Sequence, residues 1–162
     1  MSRSKQRGPT FAEQLSALKK PSTIQNVSGK KVPAIAGDVS LYSDDKASWR
    51  FGHIQLVDPY GWHEIDLGVV SKIKARLGEL ERCTWKDIFV INADDNHHFE
   101  VNTLKCPIAK KWMQSNMPGQ PSLWTILVSG RERIWGILAE GAYRIIFWDP
   151  NHLIWPVPKK HT

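Results

Sequence analysis

Alternating apolar and polar positions dominate the last third of the chain. Leu123 to Val128, Arg133 to Leu138 and Tyr143 to Trp148 are three runs rich in β-branched and aromatic residues, a composition that favours β-strands. Turn residues separate the runs, and Glu140-Gly141 has the length of a tight hairpin loop. The pattern therefore predicts a three-stranded antiparallel meander that is apolar on both faces.

A helical period precedes the meander. From Val69 to Leu80, apolar residues recur every three or four positions and charged residues face away from them, which predicts an amphipathic helix. Thr84 and Asp87 have a spacing close to that of a capping box, so a short helix is expected from Trp85 to Phe89. Another helix is expected from Pro107, which suits a first helical turn, to about Asn116.

Three shorter segments complete the predicted sheet. Strands are expected at Trp49 to Val57 and His97 to Val101, and a last edge strand at Leu153 to Trp155, ahead of prolines that cannot donate to a β-ladder. Before that edge strand, Asp149 in the sequence DPNH suits an Asx-type turn. The order of elements predicts an α+β fold in which an antiparallel β-sheet packs on two or three helices.

The first 47 residues differ in composition from the rest. They are polar, basic and rich in turn-forming residues, and the capping-box residues Thr10 and Glu13 predict one short helix from Phe11 to Lys19. We therefore divide the chain into a basic, partly flexible N-terminal arm, residues 1–47, and an α+β core domain, residues 48–162.

The formal net charge of +6 lies in residues 1–31, the first part of the arm. Residues 1–31 hold seven basic residues and one acidic residue, whereas residues 32–162 hold 15 of each kind. Nucleic-acid binding would therefore come from the arm or from a local cluster rather than from the core as a whole. The candidate nucleic-acid-binding residues of the arm are Arg3, Lys5, Arg7, Lys19, Lys20, Lys30 and Lys31.

Several classes of protein are disfavoured by what the sequence lacks. Cys83 and Cys106 do not have CxxC spacing, so neither a zinc site nor a disulfide framework is expected. No apolar run approaches the ~18 residues of a membrane span and the N-terminus has no apolar signal segment, so we expect a cytoplasmic protein. His97 and His98 would point to opposite faces of a strand and glycine-rich nucleotide motifs are absent, so no metal and no cofactor are expected.

Histidine, arginine and tyrosine side chains in the C-terminal half supply a possible chemistry. RNA cleavage without a metal needs a base for the 2′-hydroxyl, a cation for the charge that develops on phosphorus and an acid for the leaving oxygen. The candidates are His97, His98, Arg131, Arg133, Tyr143 and His152. Of these, Arg133 and His152 are expected on the same side of the sheet near its open end.

Other interpretations remain open. Arg133 and Arg144 could instead form structural ion pairs with carboxylates that are close in sequence. Those carboxylates are Glu132, Glu140 and Asp149. The tryptophans of the C-terminal sheet could simply belong to the hydrophobic core. Alternatively, they could form an aromatic surface that stacks single-stranded bases, and the protein would then be a non-catalytic RNA- or protein-binding module. A further alternative is an accessory protein whose N-terminal arm binds a partner.

The tract from Ser129 to Thr162, together with CTWKDI and NHHFEV, resembles a family of small bacterial proteins of largely unassigned function. More distantly, helices followed by a meander with a late aspartate or histidine are similar to the RelE/ParE superfamily of toxins. Better-known members of that superfamily cut messenger RNA on the ribosome or act on gyrase. The resemblance implies a RelE-like, metal-independent endoribonuclease of a toxin–antitoxin pair, with RNA or the ribosome and an antitoxin protein as partners.

The same resemblance implies roles for individual residues. By position, Arg131 and Arg133 match the basic residues of the superfamily's central strand. Tyr143 and Arg144 match those of the next strand, and His152 matches the polar residue after the last long strand. The implied site is a sheet that holds its substrate between basic and aromatic side chains and that a bound antitoxin covers.

Overall fold

The computed structural model describes residues 39–56 and 58–156. The predicted helix from Phe11 to Lys19 and all seven basic candidates of the arm lie outside these residues. The described chain begins with a 3₁₀ turn at Val39–Tyr42, and Ala47 is buried in the core. The last residues of the segment that we assigned to the arm therefore pack with the core domain.

A five-stranded mixed sheet lies at the centre of the described chain. The strands are β1 (Trp49–Arg50), β2 (His98–Glu100), β3 (Ser122–Ser129), β4 (Glu132–Ala139) and β5 (Ala142–Asp149), and they lie side by side in the order β1-β5-β4-β3-β2. Neighbours from β2 to β5 are antiparallel, whereas β1 pairs with β5 in the parallel direction. The α+β class and the meander are confirmed. The expectation of a wholly antiparallel sheet is wrong, because β1 adds to the open edge of β5 without a hairpin.

Both turns of the meander follow their local sequence. Glu140 and Gly141 have φ of 54° and 72°, and they connect the paired residues Ala139 and Ala142. Two successive positive φ values are typical of the type I′ turn that a right-twisted hairpin prefers. In the turn between β3 and β4, Gly130 has φ of 50°, a conformation that glycine adopts without steric cost.

The first long helix, α1 (Leu67–Leu80), is the one that the apolar period predicts. At its start, the Asp66 carboxylate accepts a hydrogen bond of 2.8 Å from the Val69 N–H, which satisfies an amide that has no partner within the helix. The buried stripe of α1 consists of Ile73, Leu77 and Leu80.

The two later helices also begin where their local signals lie. Thr84 N–H donates to Asp87 Oδ2 at 2.7 Å and Asp87 N–H donates to Thr84 Oγ1 at 3.2 Å, which is the reciprocal pattern of a capping box. The helix after this box continues as a π-helical turn at Asp87–Ile91, slightly beyond the predicted end. Helix α2 (Pro107–Asn116) has the predicted bounds, with proline in its first turn.

Each face of the sheet carries its own apolar core. On the face covered by α1, here the α1 face, the sheet contributes Trp124, Ile126, Ile134, Leu138, Tyr143, Ile145 and Trp148. On the opposite face, here the α2 face, it contributes Leu123, Trp135, Ile137, Ile146 and Phe147, packed with residues of α2. Apolar runs on both sides of each strand are therefore explained by helices on both faces.

A β-bulge changes which face two residues of β5 occupy. Trp135 pairs with Phe147 but the next residue, Gly136, pairs with Ile145, so Ile146 is an extra residue in β5. Strict alternation predicts Phe147 on the same face as Ile145. That prediction is wrong, because the extra residue places Phe147 on the α2 face.

Three predicted strands are shorter than expected or absent. The strand predicted from Trp49 ends at Arg50, because the chain turns so that Ile54 N–H donates to Phe51 O at 3.2 Å. The strand at His98–Glu100 passes directly into a 3₁₀ turn. The predicted edge strand at Leu153 to Trp155 does not form.

Neither α1 nor α2, nor any other helix in the described part of the chain, has the length and apolarity needed to cross a bilayer.

Candidate functional site

The residues after β5 turn back over the α2 face. Asp149, the fully buried last residue of β5, accepts backbone hydrogen bonds at Oδ1 from Asn151 (3.3 Å) and Leu153 (2.9 Å), and at Oδ2 from Ile154 (2.9 Å). Three amides held by one carboxylate reverse the chain direction. The edge strand predicted here is therefore replaced by a segment that leaves the edge of the sheet.

This segment reaches β2. In the sheet, β4 and β3 lie between β5 and β2. Ile154 is fully buried in the core of the α2 face. The Trp155 ring stacks on the Phe99 ring of β2 with a centroid distance of 4.1 Å and an interplanar angle of 24°. We call residues 149–156 the crossing segment. It passes over β4 and β3, and it brings His152 to the basic residues of the meander.

His152 lies in the turn of the crossing segment. Its φ of 58° is in the left-handed region, which histidine occupies more readily than most non-glycine residues but still at a cost. Burial lowers the pKa of His152, and the charges of Arg133, His97 and Arg131 lower it further, while Asp149 acts in the opposite direction. His152 is therefore neutral at physiological pH and can accept a proton.

Arg133 lies on β4 directly opposite Asp149. Its Nη1 donates to the carbonyl oxygens of Gly130 at 2.9 Å and Glu132 at 3.2 Å. Burial lowers the pKa of Arg133, and Asp95 and Asp149 raise it, but an arginine remains charged. Among the described residues, no carboxylate forms a salt bridge with Arg133.

The expected ion pairs of Arg133 are therefore wrong for each nearby carboxylate. Glu132 pairs with Lys72 of α1, and both oxygens of Asp149 bind backbone amides of the crossing segment. The two carbonyl groups orient the guanidinium but do not neutralise it. Its other nitrogen atoms form no hydrogen bond within the described residues, so they can bind an anion.

His97 and Arg131 complete the cluster. His97 Nδ1 lies 3.1 Å from the carbonyl oxygen of Ala93. Because a carbonyl only accepts, this contact favours the proton on Nδ1 and leaves Nε2 to exchange protons with a substrate. Arg131 is exposed in the turn between β3 and β4, and its charge acts on His152. We define the basic site as His97, Arg131, Arg133 and His152.

Tyr143 lies on the opposite side of the sheet from the basic site. It is fully buried on the α1 face, and its hydroxyl lies 2.8 Å from the Trp124 carbonyl oxygen and 3.2 Å from that of Ile134. Burial raises its pKa well above the usual value. The ring lies against Gly136, where an added Cβ would be 2.7 Å from Tyr143 Cε1. Tyr143 thus holds the sheet together and cannot reach a substrate on the α2 face.

Arg144 and His98 are also separate from the basic site. Arg144 Nη2 binds Glu140 Oε2 at 2.6 Å, as one of the alternatives in the sequence analysis expects. It pairs with Ile137, about 13 Å along β4 from Arg133 at the usual rise of a strand. The His98 ring contacts the Trp124 ring on the α1 face at a centroid distance of 4.5 Å and an interplanar angle of 37°, so the two adjacent histidines do point to opposite faces.

Two further groups could contact ligands. Possible metal-ligand atoms of Asp58, His63 and Glu64 lie within 4.8 Å of one another, but these residues are exposed in the turn before α1, outside the basic site. A groove of about 570 Å³ opens beside α1. Its lining is largely apolar and includes Trp49, Phe51, Trp62, Val70, Ile73 and Leu77.

Sequence reasoning anticipated Asp149 only in part and missed one group of residues. Asp149 was expected to pair with arginine or to support a turn, and only the second role is observed; the DPNH sequence was the signal for it. The sequence did not indicate that Phe99 and Trp155 lie together, because they come from two different segments. Comparison of the chain with protein-family models, with curated proteins and with solved structures finds no match.

Proposed function

We propose that this protein binds RNA at the basic site and cleaves it without a metal ion, as a RelE-like endoribonuclease. The observation that supports the proposal is that neither Arg131 nor Arg133 forms a salt bridge among the described residues. Asp95 and Asp149 raise the pKa of Arg133, and both arginines lower the pKa of His152. A phosphodiester would bind the free guanidinium nitrogen atoms, because guanidinium groups bind phosphate through short, charge-assisted hydrogen bonds.

The histidines supply the two proton transfers in this proposal. Neutral His152 accepts the proton of the 2′-hydroxyl, and the resulting oxygen attacks phosphorus. The bond from phosphorus to the 5′-oxygen breaks, and protonated His97 donates a proton to that oxygen through Nε2. The products carry a 2′,3′-cyclic phosphate and a 5′-hydroxyl. Arg133 stabilises the charge on the phosphoryl oxygens, which is greatest in the transition state.

The direct test uses the wild-type protein and a short single-stranded RNA in the presence of a chelator. We expect cleavage to continue with the chelator, because no step uses a metal. A single 2′-deoxy substitution at the cleaved nucleotide should abolish cleavage there, because the attacking oxygen is missing. Cleavage that requires a divalent metal, or that persists at the 2′-deoxy nucleotide, would contradict the proposed mechanism.

The resemblance to RelE/ParE toxins extends the proposal to partners. We infer a cytoplasmic protein that acts on messenger RNA at the ribosome and is inhibited by an antitoxin protein. The same RNA is therefore assayed with and without ribosomes. A rate that increases when ribosomes are added supports ribosome association, and an equal rate supports action on free RNA.

A second candidate function is a non-catalytic RNA-binding module. The observation in its favour is the stacked pair of Phe99 and Trp155, because exposed aromatic rings bind single-stranded bases. The same chelator-treated assay separates the two functions. An RNA complex whose affinity depends on Arg133, without cleavage in either assay, would favour the binding module.

A further inference from the structure

An aromatic surface continues directly from the basic site on the α2 face. The His97 ring contacts the Phe99 ring at a centroid distance of 4.8 Å, and the Phe99 ring stacks on Trp155 at 4.1 Å. Phe99 and Trp155 are both partly exposed. A substrate bound by His97 would therefore lie beside an aromatic surface, formed first by Phe99 and then by Trp155.

A positive charge lies on this aromatic surface. Lys105 Nζ is 4.8 Å from the centroid of the Trp155 ring. Lys105 is exposed and precedes α2, so its long side chain can move without disturbing the core. A cation–π contact at an exposed position changes an equilibrium by only about 2- to 5-fold. A base stacked on an aromatic ring changes binding by about 5- to 150-fold, so a nucleobase can displace the lysine.

We propose that Trp155 is a nucleobase subsite for single-stranded RNA and that Lys105, displaced from the ring, contacts a phosphate of the same nucleotide. This inference rests on the proposed function, because it places the stacked nucleotide next to the one whose phosphate lies at the basic site. The ligand is single-stranded because the bases of a duplex already stack on each other, and their faces cannot reach a ring held against the sheet.

The geometry also predicts the base specificity of the subsite. The surface offers the face of Trp155 and an ammonium group, and neither recognises the hydrogen-bonding edge of a particular base. We therefore expect binding that requires a base at this position but tolerates each of the four bases. This property can be measured separately from cleavage, with an RNA in which one nucleotide lacks its base.

The test measures the affinity of short single-stranded RNAs that carry one abasic nucleotide at successive positions. One 2′-deoxy nucleotide at the cleaved position keeps the RNA intact during the measurement. With wild-type protein, we expect the abasic nucleotide to weaken binding about 5-fold or more at one position. Trp155→Ala should weaken binding of the unmodified RNA by a similar factor and remove the sensitivity to that position. Phe51→Ala, an exposed aromatic residue of the apolar groove on the α1 face, is the matched control.

Lys105 provides a variant that does not depend on the core. Lys105→Gln should weaken RNA binding and reduce the salt dependence by about one phosphate contact, whereas Lys74→Gln, on α1, should do neither. If Trp155→Ala lowers thermal stability markedly, Lys105→Gln still decides the question, and Trp155→Phe, which keeps a ring, should keep the sensitivity to the abasic position. Full affinity and an unchanged abasic profile in folded Trp155→Ala, or full affinity and unchanged salt dependence in Lys105→Gln, would overturn the inference.

The outcomes separate this inference from the proposed function. Cleavage by wild type that is insensitive to Trp155 and Lys105 would leave the basic site as proposed and remove the subsite. Binding that depends on Trp155, without cleavage, would support the subsite and contradict the endoribonuclease. Failure of wild type to bind single-stranded RNA would overturn both.

Discussion

The two faces of the sheet differ in how their positive charges are paired. Beside the α1 face, Lys72 pairs with Glu132 and Arg76 pairs with Glu79 at 3.5 Å. Arg76 Nε also donates to the Leu127 carbonyl oxygen at 2.9 Å. At the basic site of the α2 face, Arg131 and Arg133 form no salt bridge within the described part of the chain. Asp95 and Asp149 raise the pKa of Arg133, but both oxygens of Asp149 bind backbone amides.

The faces also differ in what covers them. On the α1 face the 14-residue α1 and the π-helical turn pack on the sheet, and the open part is an apolar groove. On the α2 face the 10-residue α2 is supplemented by the crossing segment, which brings polar groups with it. The difference indicates that arginines without a salt-bridge partner, rather than basic composition, distinguish the proposed site, because residues 32–162 carry no net charge.

The largest expected effect comes from removing the carboxylate that holds the crossing segment. Asp149→Ala leaves three backbone N–H groups, including the buried one of Ile154, without their acceptor. The loss should be on the order of 3 kcal/mol or more in the free energy of unfolding, together with loss of RNA cleavage as His152 moves. Urea denaturation measures the first and the cleavage assay the second. Asp87→Ala, which removes a partly exposed capping carboxylate after α1, should cost less and leave cleavage unchanged.

Gly136→Ala should destabilise the protein by disturbing the packing of the α1 face. The added Cβ would lie 2.3 Å from the Arg144 carbonyl oxygen and 2.7 Å from Tyr143 Cε1, so the backbone or the buried tyrosine must move. We expect a loss of about 3 kcal/mol in the free energy of unfolding, at the upper end of overpacking costs. Gly78→Ala on α1 has nothing within 4 Å of the new Cβ, and should stabilise by about 0.5–1 kcal/mol. Equal midpoints for both variants in urea would be inconsistent with the close packing at Gly136.

Arg133→Gln tests the charge imbalance of the α2 face. In the proposed mechanism its removal should lower kcat for RNA cleavage by about 100-fold, equivalent to about 2.7 kcal/mol in the transition state. The free energy of unfolding should change little, because no carboxylate among the described residues forms a salt bridge with Arg133 and would lose its partner. Arg50→Gln, on β1, removes the same charge from a pair with Glu140 and should keep full activity. A large drop in melting temperature for Arg133→Gln with no change in kcat would identify a structural role instead.

The smallest effect concerns pH. The pKa of His152 in the folded state is lowered by burial and by Arg133, His97 and Arg131, against Asp149, so the unfolded chain takes up the proton first. Its contribution to stability is therefore present above about pH 6.5 and is lost as pH falls toward the folded-state pKa. Asparagine tolerates the positive φ but does not titrate, so His152→Asn should remove this part of the loss of stability at low pH. Melting curves from pH 8 to pH 5 measure it, with His63→Asn as the control; parallel curves for wild type and His152→Asn would refute the assignment.

Local sequence signals account for most of the regular structure. The apolar stripe of α1, the capping box at Thr84 and the proline that opens α2 each act within a few residues. The Glu140-Gly141 turn sets the hairpin between β4 and β5 for the same reason, because Gly141 adopts its positive φ without steric cost. These elements formed as predicted, since a helix cap, a helical stripe or a two-residue turn needs no distant partner.

The candidate site depended on contacts that no local pattern contains. The residue types of the basic site could be named from the sequence, and so could the Asx-type turn at Asp149. The buried position of Tyr143 follows from packing across Gly136, and the face of Phe147 follows from the bulge at Ile146. The path of the crossing segment follows from hydrogen bonds of a buried carboxylate and from the stacking of Trp155 on Phe99. Side chains far apart in sequence meet only when the sheet is assembled, so tertiary structure alone decided which of the predicted residues lie together.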